Sequence, residues 1–271
     1  MFKQWIVAGL VVMGLGGCAS RVDLREVVHG SALTPTVLAT TPYALQALLP
    51  GAGVHRHLRV YIEGDGHAWA TRTQPSTDPT PAISLTARLA ANDQQPSAYL
   101  ARPCQFVSGP NCTQELWTEG RFDRTVMSAM NAGLDFLKQR YGVEQFELVG
   151  YSGGAAVALV LAATRSDVKQ VQTLAGNLDP LLWTQMLGLS PLKNPVTPLQ
   201  FHDALRHITQ RHFIGLDDQV VPPAIAHAYA EQLQGDCLQM VSAKATHSVG
   251  FEQLWAEYSD KPVVCGRTDG L

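Results

Sequence analysis

Three side chains of this sequence have the types and positions that nucleophilic catalysis requires. Ser152 lies at the centre of Gly150–Gly154, which reads GYSGG and fits the pattern G-x-S-x-G. A serine hydroxyl is a weak nucleophile until a base, usually histidine, takes its proton and a carboxylate orients that base. Asp218 and His247 follow later in the chain and are our candidates for the acid and the base.

The residues around Ser152 predict the backbone that would expose its hydroxyl. An apolar, strand-like run, 145–149, ends directly before Gly150, and an Ala- and Val-rich helical run continues to about Thr164. A nucleophile between a strand and a helix sits in a strained turn, so its neighbours two residues before and after must be small. The alternative is a glycine-rich turn that merely packs closely.

The acid and the base candidates also follow predicted strands. Asp218 comes after the strand-like run 211–215, and His247 comes after the run 238–241. The carboxyl ends of parallel strands meet at one edge of a sheet, so these side chains are expected beside Ser152. Among the other histidines, only His67 rivals His247 for a place in the site.

Strand-like and helical segments alternate along the chain, which predicts one α/β domain with a mostly parallel, doubly wound sheet. Residues 177–205 lack a clean period and contain several prolines, so we expect a small insertion, or lid, over the active site. The predicted strands are 37–40, 43–48, 58–62, 98–100, 145–149, 168–175, 211–215 and 238–241. The predicted helices are 82–91, 122–141, the run after Gly150 to about Thr164, 223–233 and 251–258.

The order of serine, acid and histidine, with the segment GLDDQVVP at 215–222, resembles the α/β-hydrolase superfamily, whose acid loop commonly reads G-x-x-D-x-V-V-P. The resemblance places the acid at Asp218 and makes Asp217 a neighbour that caps the turn. Asp179 is a further alternative, because some members carry the acid one strand earlier.

The turn after strand 58–62 reads EGDG and resembles the oxyanion turn of the same superfamily. The resemblance implies that the backbone amides of Asp65 and Gly153 bind the oxyanion. Glu63 stands where many members have histidine, which leaves Gly66 as an alternative donor. Without an oxyanion role, residues 64–66 form a plain tight turn in which Asp65 hydrogen-bonds its own backbone.

Longer segments resemble a group of predicted bacterial α/β-hydrolase lipoproteins. This resemblance implies a fold and a hydrolytic triad but no particular substrate. The segments that carry it are Tyr61–Gly66, Asp78–Pro81, Tyr99–Cys104, Trp117, Arg121-Phe122 and Gly176–Asp179.

The first 17 residues have the pattern of a lipoprotein signal peptide. Lys3 precedes an apolar stretch that ends in Leu15-Gly16-Gly17-Cys18, which resembles a bacterial lipobox. We expect a lipid on Cys18, including palmitate, a tether over 18–30 and a hydrolase domain over 31–271. Residue 19 is alanine and not the aspartate that usually retains lipoproteins in the inner membrane. The resemblance therefore implies that the protein is anchored in the outer membrane and faces the periplasm. An ordinary secretory signal or an uncleaved anchor is the alternative.

The other four cysteines indicate disulfides in an oxidising compartment. Three pairings are open, and we prefer Cys104–Cys112 with Cys237–Cys265. The cysteines lack metal-ligand spacing, so we expect neither zinc nor another metal, and the sequence indicates no cofactor.

The charge balance excludes other classes of protein. There are 20 Lys and Arg against 23 Asp and Glu, a net charge of −3, with 46% hydrophobic and 16% charged residues. These proportions exclude a disordered chain, and the absence of a basic stripe argues against nucleic-acid binding. The sequence makes no prediction of oligomeric state.

These features predict a serine hydrolase that binds a small-molecule ester or acyl substrate, most simply a carboxylic-ester hydrolase. Thioester or amide hydrolysis, acyl transfer and a non-catalytic envelope lipoprotein remain alternatives. We expect no basic cluster near the triad, and hence no phosphate- or carboxylate-bearing substrate. Residues expected above the sheet edge are Trp69, Trp117, Trp183, Leu181, Leu182, Met186 and Leu187.

Overall fold

A single twisted sheet organises the chain. The computed structural model describes residues 21–265 and the backbone of 268–270, so the expected signal peptide and Cys18 lie outside the described residues. The sheet has nine strands in the order β1-β2-β4-β3-β5-β6-β7-β8-β9. These strands are β1 Thr34–Leu38, β2 Leu45–Leu49, β3 His57–Ile62, β4 Ser97–Leu100, β5 Gln145–Tyr151, β6 Val168–Leu174, β7 Thr209–Gly215, β8 Leu238–Ala243 and β9 Thr268–Gly270.

In the order of the sheet, each pair of neighbours from β4 through β3 and on to β9 is parallel. The pairs β1 with β2 and β2 with β4 are antiparallel. Helices cover both faces, so the predicted mostly parallel, doubly wound fold is confirmed. The helices are α1 Leu24–Val27, α2 Leu85–Asn92, α3 Gln114–Trp117, α4 Arg124–Tyr141, α5 Gly153–Thr164, α6 Pro180–Met186, α7 His202–Leu205, α8 Pro223–Leu233 and α9 Phe251–Tyr258, with a 3₁₀ helix at Pro198–Phe201.

The sheet separates two apolar layers. One contains α4 and α5, and the other contains α2 and α9. Helix α5 is apolar on all sides and its residues 153–162 are buried, as expected for a helix enclosed by the sheet and its neighbours. Its burial fixes the position of the turn at its N-terminus, where Ser152 lies.

Residues 177–205 contain short helices that the sequence pattern did not show. Asp179 begins α6 by accepting hydrogen bonds from the amides of Leu181 and Leu182. Backbone bonds from Lys193 to Glu119 and from Val196 to Phe122 then attach the segment to the chain before α4. Its first part, α6, follows β6 at the carboxyl edge of the sheet, whereas Leu199 and Phe201 pack against the apolar layer that contains α4 and α5.

The described chain begins at the same edge. Within the range expected to form the tether, Leu24 is buried in the short helix α1. Arg21 forms an ion pair with Asp78 at 2.9 Å, and the Val22 amide donates to the Pro81 carbonyl at 3.3 Å. No helix among the described residues combines the length and apolarity needed to cross a bilayer.

Both preferred disulfides are present, Cys104–Cys112 and Cys237–Cys265. Cys237 precedes β8 and Cys265 follows α9, so the second bridge ties the end of the chain to the strand that leads to His247. The bridges close loops of different length, with separations of 28 and 8 residues.

We predict that the two bridges differ in their contribution to stability. The chain-entropy model gives about 3.5 kcal/mol for the longer loop and about 2.5 kcal/mol for the shorter one. Denaturant unfolding of Cys237→Ser/Cys265→Ser and of Cys104→Ser/Cys112→Ser tests this order. A larger loss in the second double variant would contradict it.

Candidate active site

Ser152 occupies the strained turn that its sequence context predicts. Its backbone has φ 51° and ψ −123°, between the end of β5 and the start of α5. A Cβ at Gly150 would lie 2.5 Å from the Ala155 Cα, and one at Gly154 would clash with the Glu63 carbonyl. Only glycine allows the strand, the helix and the turn after β3 to approach this closely.

The structure brings Ser152, His247 and Asp218 into one hydrogen-bonded chain. The His247 Nε2 atom lies 3.1 Å from the Ser152 Oγ, and its Nδ1 atom lies 2.8 Å from an Asp218 carboxylate oxygen. An ionised carboxylate only accepts hydrogen bonds, so His247 must carry its proton on Nδ1. Its Nε2 lone pair then faces the serine hydroxyl, which is the arrangement that a general base requires.

Asp218 is held in place by its own loop. It is buried, and one carboxylate oxygen accepts hydrogen bonds from the amides of Val220 at 2.8 Å and Val221 at 2.9 Å. The other acid candidates lie elsewhere: Asp217 is exposed, and Asp179 caps α6. The contact with His247 therefore belongs to Asp218.

The loop that carries His247 is tied to the nucleophile turn. The Tyr151 hydroxyl donates to the His247 carbonyl at 2.9 Å, and the two ring centroids are 5.2 Å apart. Burial raises the pKa of Tyr151, so its hydroxyl stays a donor at neutral pH. The rival His67 is exposed, and its side chain forms no hydrogen bond with another residue in 21–265.

The two residues whose amides are the expected oxyanion donors are in contact through the Asp65 side chain. The Asp65 carboxylate fills the space beside Gly153, where a Cβ would clash with it. Within residues 21–265, neither backbone amide donates to an acceptor of the chain. Gly66 has φ +64°, and a Cβ there would clash with the Pro79 carbonyl, so this turn is also closely packed.

Glu63 stands where many members of the superfamily have histidine. Its side chain supports this turn from inside the protein. It is buried, and its carboxylate accepts hydrogen bonds from the Gly64 amide at 2.9 Å, the Tyr99 hydroxyl at 3.0 Å and the Ser84 hydroxyl. Burial raises the pKa of Glu63 despite these donors. Glu63 therefore fixes the backbone of the turn rather than facing the cleft.

Two arginines beside the site were missed in the sequence, and the expectation of no basic cluster there was wrong. Arg102 lies 3.3 Å and Arg121 lies 3.4 Å from the Asp65 carboxylate, and both are buried. Arg102 also donates to the Arg121 carbonyl. Burial lowers the pKa of Arg102, and the nearby Asp65 opposes that effect. The signal was present, since both arginines lie in segments that carried the lipoprotein resemblance.

The tryptophans expected around the pocket have separate roles. The Trp183 indole donates to the Val220 carbonyl at 2.7 Å, which joins α6 to the acid loop, and the Arg121 guanidinium lies 5.1 Å from the Trp183 ring centroid. Trp117 is buried and Trp69 is half-buried. Among the described residues, no cluster of His, Cys, Asp or Glu could hold a metal ion.

No protein-family model matches the sequence, and no curated protein does. Solved structures match the fold. An esterase of Pyrococcus furiosus has a TM-score of 0.63 and 11% identity over 89% of this chain and 93% of its own. An acylaminoacyl peptidase of Pyrococcus horikoshii has a TM-score of 0.64 and 11% identity over 92% of this chain and 45% of its own.

A third similar structure is that of a protein of unknown function from Agrobacterium tumefaciens, described as a candidate α/β hydrolase. It has a TM-score of 0.54 and 13% identity over 84% of this chain and 94% of its own. With the strand order and the turn at Ser152, these similarities define the class: the chain has the α/β-hydrolase fold.

We predict that Glu63→Gln changes how stability depends on pH. The pKa of Glu63 is raised in the folded state above its unfolded-state value of 4.5. The contribution of this carboxyl group to stability is therefore complete below pH 4.5, and it is lost as the pH rises through the pKa of the folded state. The free energy of unfolding of the wild type should therefore fall relative to that of Glu63→Gln as pH rises from 4.5. Denaturant unfolding between pH 4.5 and 8 measures the difference, and a constant difference would contradict it.

Proposed function

We propose that this protein is a serine hydrolase that cleaves carboxylic esters through an acyl-Ser152 intermediate. The observation that carries this proposal is the hydrogen-bonded chain from Ser152 through His247 to Asp218, with 3.1 Å and 2.8 Å between the partner atoms. Serine, base and acid in this arrangement make an alcohol reactive at neutral pH.

The first half of the reaction forms the acyl-enzyme. As the Ser152 Oγ attacks the ester carbonyl carbon, its proton passes to the His247 Nε2. The imidazolium is stabilised by Asp218, whose carboxylate is already held by two backbone amides. The tetrahedral intermediate then collapses: its bond to the alcohol oxygen breaks, and that oxygen takes the proton from His247.

The second half regenerates the serine. A water molecule attacks the acyl carbon while His247 takes one of its protons. Collapse of the second tetrahedral intermediate breaks the bond to the Ser152 Oγ, which recovers that proton. The acid product leaves and the site returns to its initial state.

The amides of Asp65 and Gly153 are our proposed donors to the oxyanion of both intermediates. They belong to residues in contact, one in the turn after β3 and one at the N-terminus of α5, where amides have no helical acceptor. Arg102 and Arg121 offset the negative charge of the Asp65 side chain, which would otherwise oppose an oxyanion nearby.

The substrate proposal rests on the surroundings of the triad. Leu181 and Met186 of α6 are exposed on the segment beside the acid loop, and Trp183 connects that helix to it. Apolar side chains there favour an acyl group. The esterase of Pyrococcus furiosus supports an ester substrate by its fold, whereas the acylaminoacyl peptidase keeps amide hydrolysis as the competing activity.

We predict that a fluorophosphonate probe labels Ser152 and that Ser152→Ala and His247→Ala abolish the labelling. Asp218→Asn should lower kcat for an activated ester by roughly 10⁴-fold, because His247 loses its orientation and its preferred tautomer. The matched control is Asp217→Asn, which removes the exposed neighbouring carboxylate and should retain activity. Equal activity of Ser152→Ala and wild type would exclude the proposed reaction.

We predict that Gly153→Ala lowers kcat by about 10²-fold or more with little change in KM. The new methyl group would displace the Asp65 carboxylate, which two arginines hold, and misalign both amide donors. Gly51→Ala is the control, since a Cβ at Gly51 meets no atom within 4 Å. An unchanged kcat in Gly153→Ala would remove these amides from the mechanism.

A further inference from the structure

Exposed apolar side chains concentrate at the edge of the sheet that carries the triad. Of the residues that the structure describes, ten large apolar ones are exposed, and seven of them follow the carboxyl ends of parallel strands. We call these seven the apolar rim: Ile83 after β3, Leu181, Met186 and Leu189 after β6, Leu216 and Val220 after β7, and Val249 after β8.

The rim surrounds the nucleophile. Ser152 follows β5, which lies between β3 and β6 in the sheet, so rim residues flank it on both sides. Val249 is two residues from His247, and Val220 is two residues from Asp218. Scattered exposed apolar residues are normal in proteins, but their concentration on the edge that carries the triad indicates a surface that contacts something apolar.

Charge in the rim loops does not indicate an anionic partner. Residues 177–192 and 216–222, which carry five of the seven rim residues, contain no Lys or Arg. Lys193 follows directly, and the loops that carry Ile83 and Val249 contain one cation each, Arg72 and Lys244, so the cations do not form a cluster. Attraction to acidic lipids or acidic proteins requires clusters of such residues. The chemistry of the rim therefore suits the hydrocarbon of a lipid layer.

The described chain begins at the rim. Arg21 pairs with Asp78 and Val22 bonds to Pro81, and both partners belong to the loop between β3 and α2. The same loop contains Asp65 and ends close to Ile83. The His67 amide donates to the Pro79 carbonyl at 2.9 Å, which joins the two halves of this loop.

The expected lipid on Cys18 would lie close to this point. Two residues separate Cys18 from Arg21, so the chain takes three steps between them, and an extended chain spans at most about 3.5 Å per step, or roughly 10 Å. Two or more acyl chains suffice for stable anchoring. An anchor of this reach would hold the apolar rim, rather than another face, against the bilayer.

We propose that the apolar rim docks on a lipid bilayer with Ser152 facing the membrane, and that the substrate class is long-chain acyl esters presented by that bilayer. The substrate part rests on the proposed serine hydrolase function. The docking part rests on the exposed side chains and on where the described chain begins.

The test compares two triple variants in protein that carries Cys18→Ser and lacks only the expected signal peptide, so that no lipid assists binding. Ile83→Ser/Leu216→Ser/Val249→Ser removes rim side chains. Val37→Ser/Val54→Ser/Val264→Ser, the matched control, removes exposed apolar side chains that do not follow the parallel strands at this edge. Binding to phosphatidylcholine vesicles is measured by flotation at about 0.1 M and 0.5 M salt, concentrations chosen to differ in charge screening.

We expect the rim variant to lose vesicle binding at least tenfold, the control to bind like the parent protein, and salt to have little effect. Hydrolysis of a long-chain ester in the vesicles should fall with binding in the rim variant. Labelling of Ser152 by a soluble fluorophosphonate should be the same in all three proteins, which shows that the rim variant is folded.

Equal binding of the rim variant and the control would overturn the docking proposal, as would binding that disappears at high salt. Rim-dependent binding without any labelling of Ser152 would support docking and refute the hydrolase function. Labelling and soluble-ester activity without hydrolysis of the vesicle ester would refute the substrate class.

Discussion

The close approach of three backbone segments at Ser152 is the constraint on which the rest of the site depends. Strand β5, the start of α5 and the turn after β3 meet where Gly150 and Gly154 have no side chain. The strained Ser152 is held because residues 153–162 of α5 are buried and the helix cannot shift to relieve the turn. The same contact that exposes the proposed nucleophile therefore also fixes the proposed oxyanion turn beside it.

Around this contact the protein holds two buried carboxyl groups, of Glu63 and Asp218, and one half-buried carboxylate, of Asp65, and each has hydrogen-bond donors or cations as partners. Glu63 has three donors, Asp65 has two arginines and Asp218 has two amides together with His247. Buried ionised groups are costly unless they are paired and hydrogen-bonded, so these partners set the electrostatics of the cleft. In the reaction that we propose, donors oriented before the substrate arrives would need little reorganisation.

The sequence predicted eight of the nine strands, the main helices and the position of the turn at Ser152 because these depend on local patterns, whereas the short strand β9 was missed. Helices 223–233 and 251–258 have the predicted bounds, whereas the first strand begins at Thr34, three residues earlier, in an edge position that tolerates Pro35. The helices within 177–205 were missed, because caps and prolines rather than periodicity define them. The pairing of Asp65 with Arg102 and Arg121 joins residues 37 and 56 positions apart, which only the folded chain reveals.

The bridge between Cys104 and Cys112 restrains the backbone next to the pairing of Arg102 with Asp65. Cys104 follows Arg102 by two residues, so the covalent link restrains the segment that delivers one of the two guanidinium groups to Asp65. A chain in which both cysteines are reduced lacks that restraint. Formation of the bridge would therefore add rigidity to the turn beside Gly153, and the thiol or disulfide state of this pair would be coupled to the order of that turn.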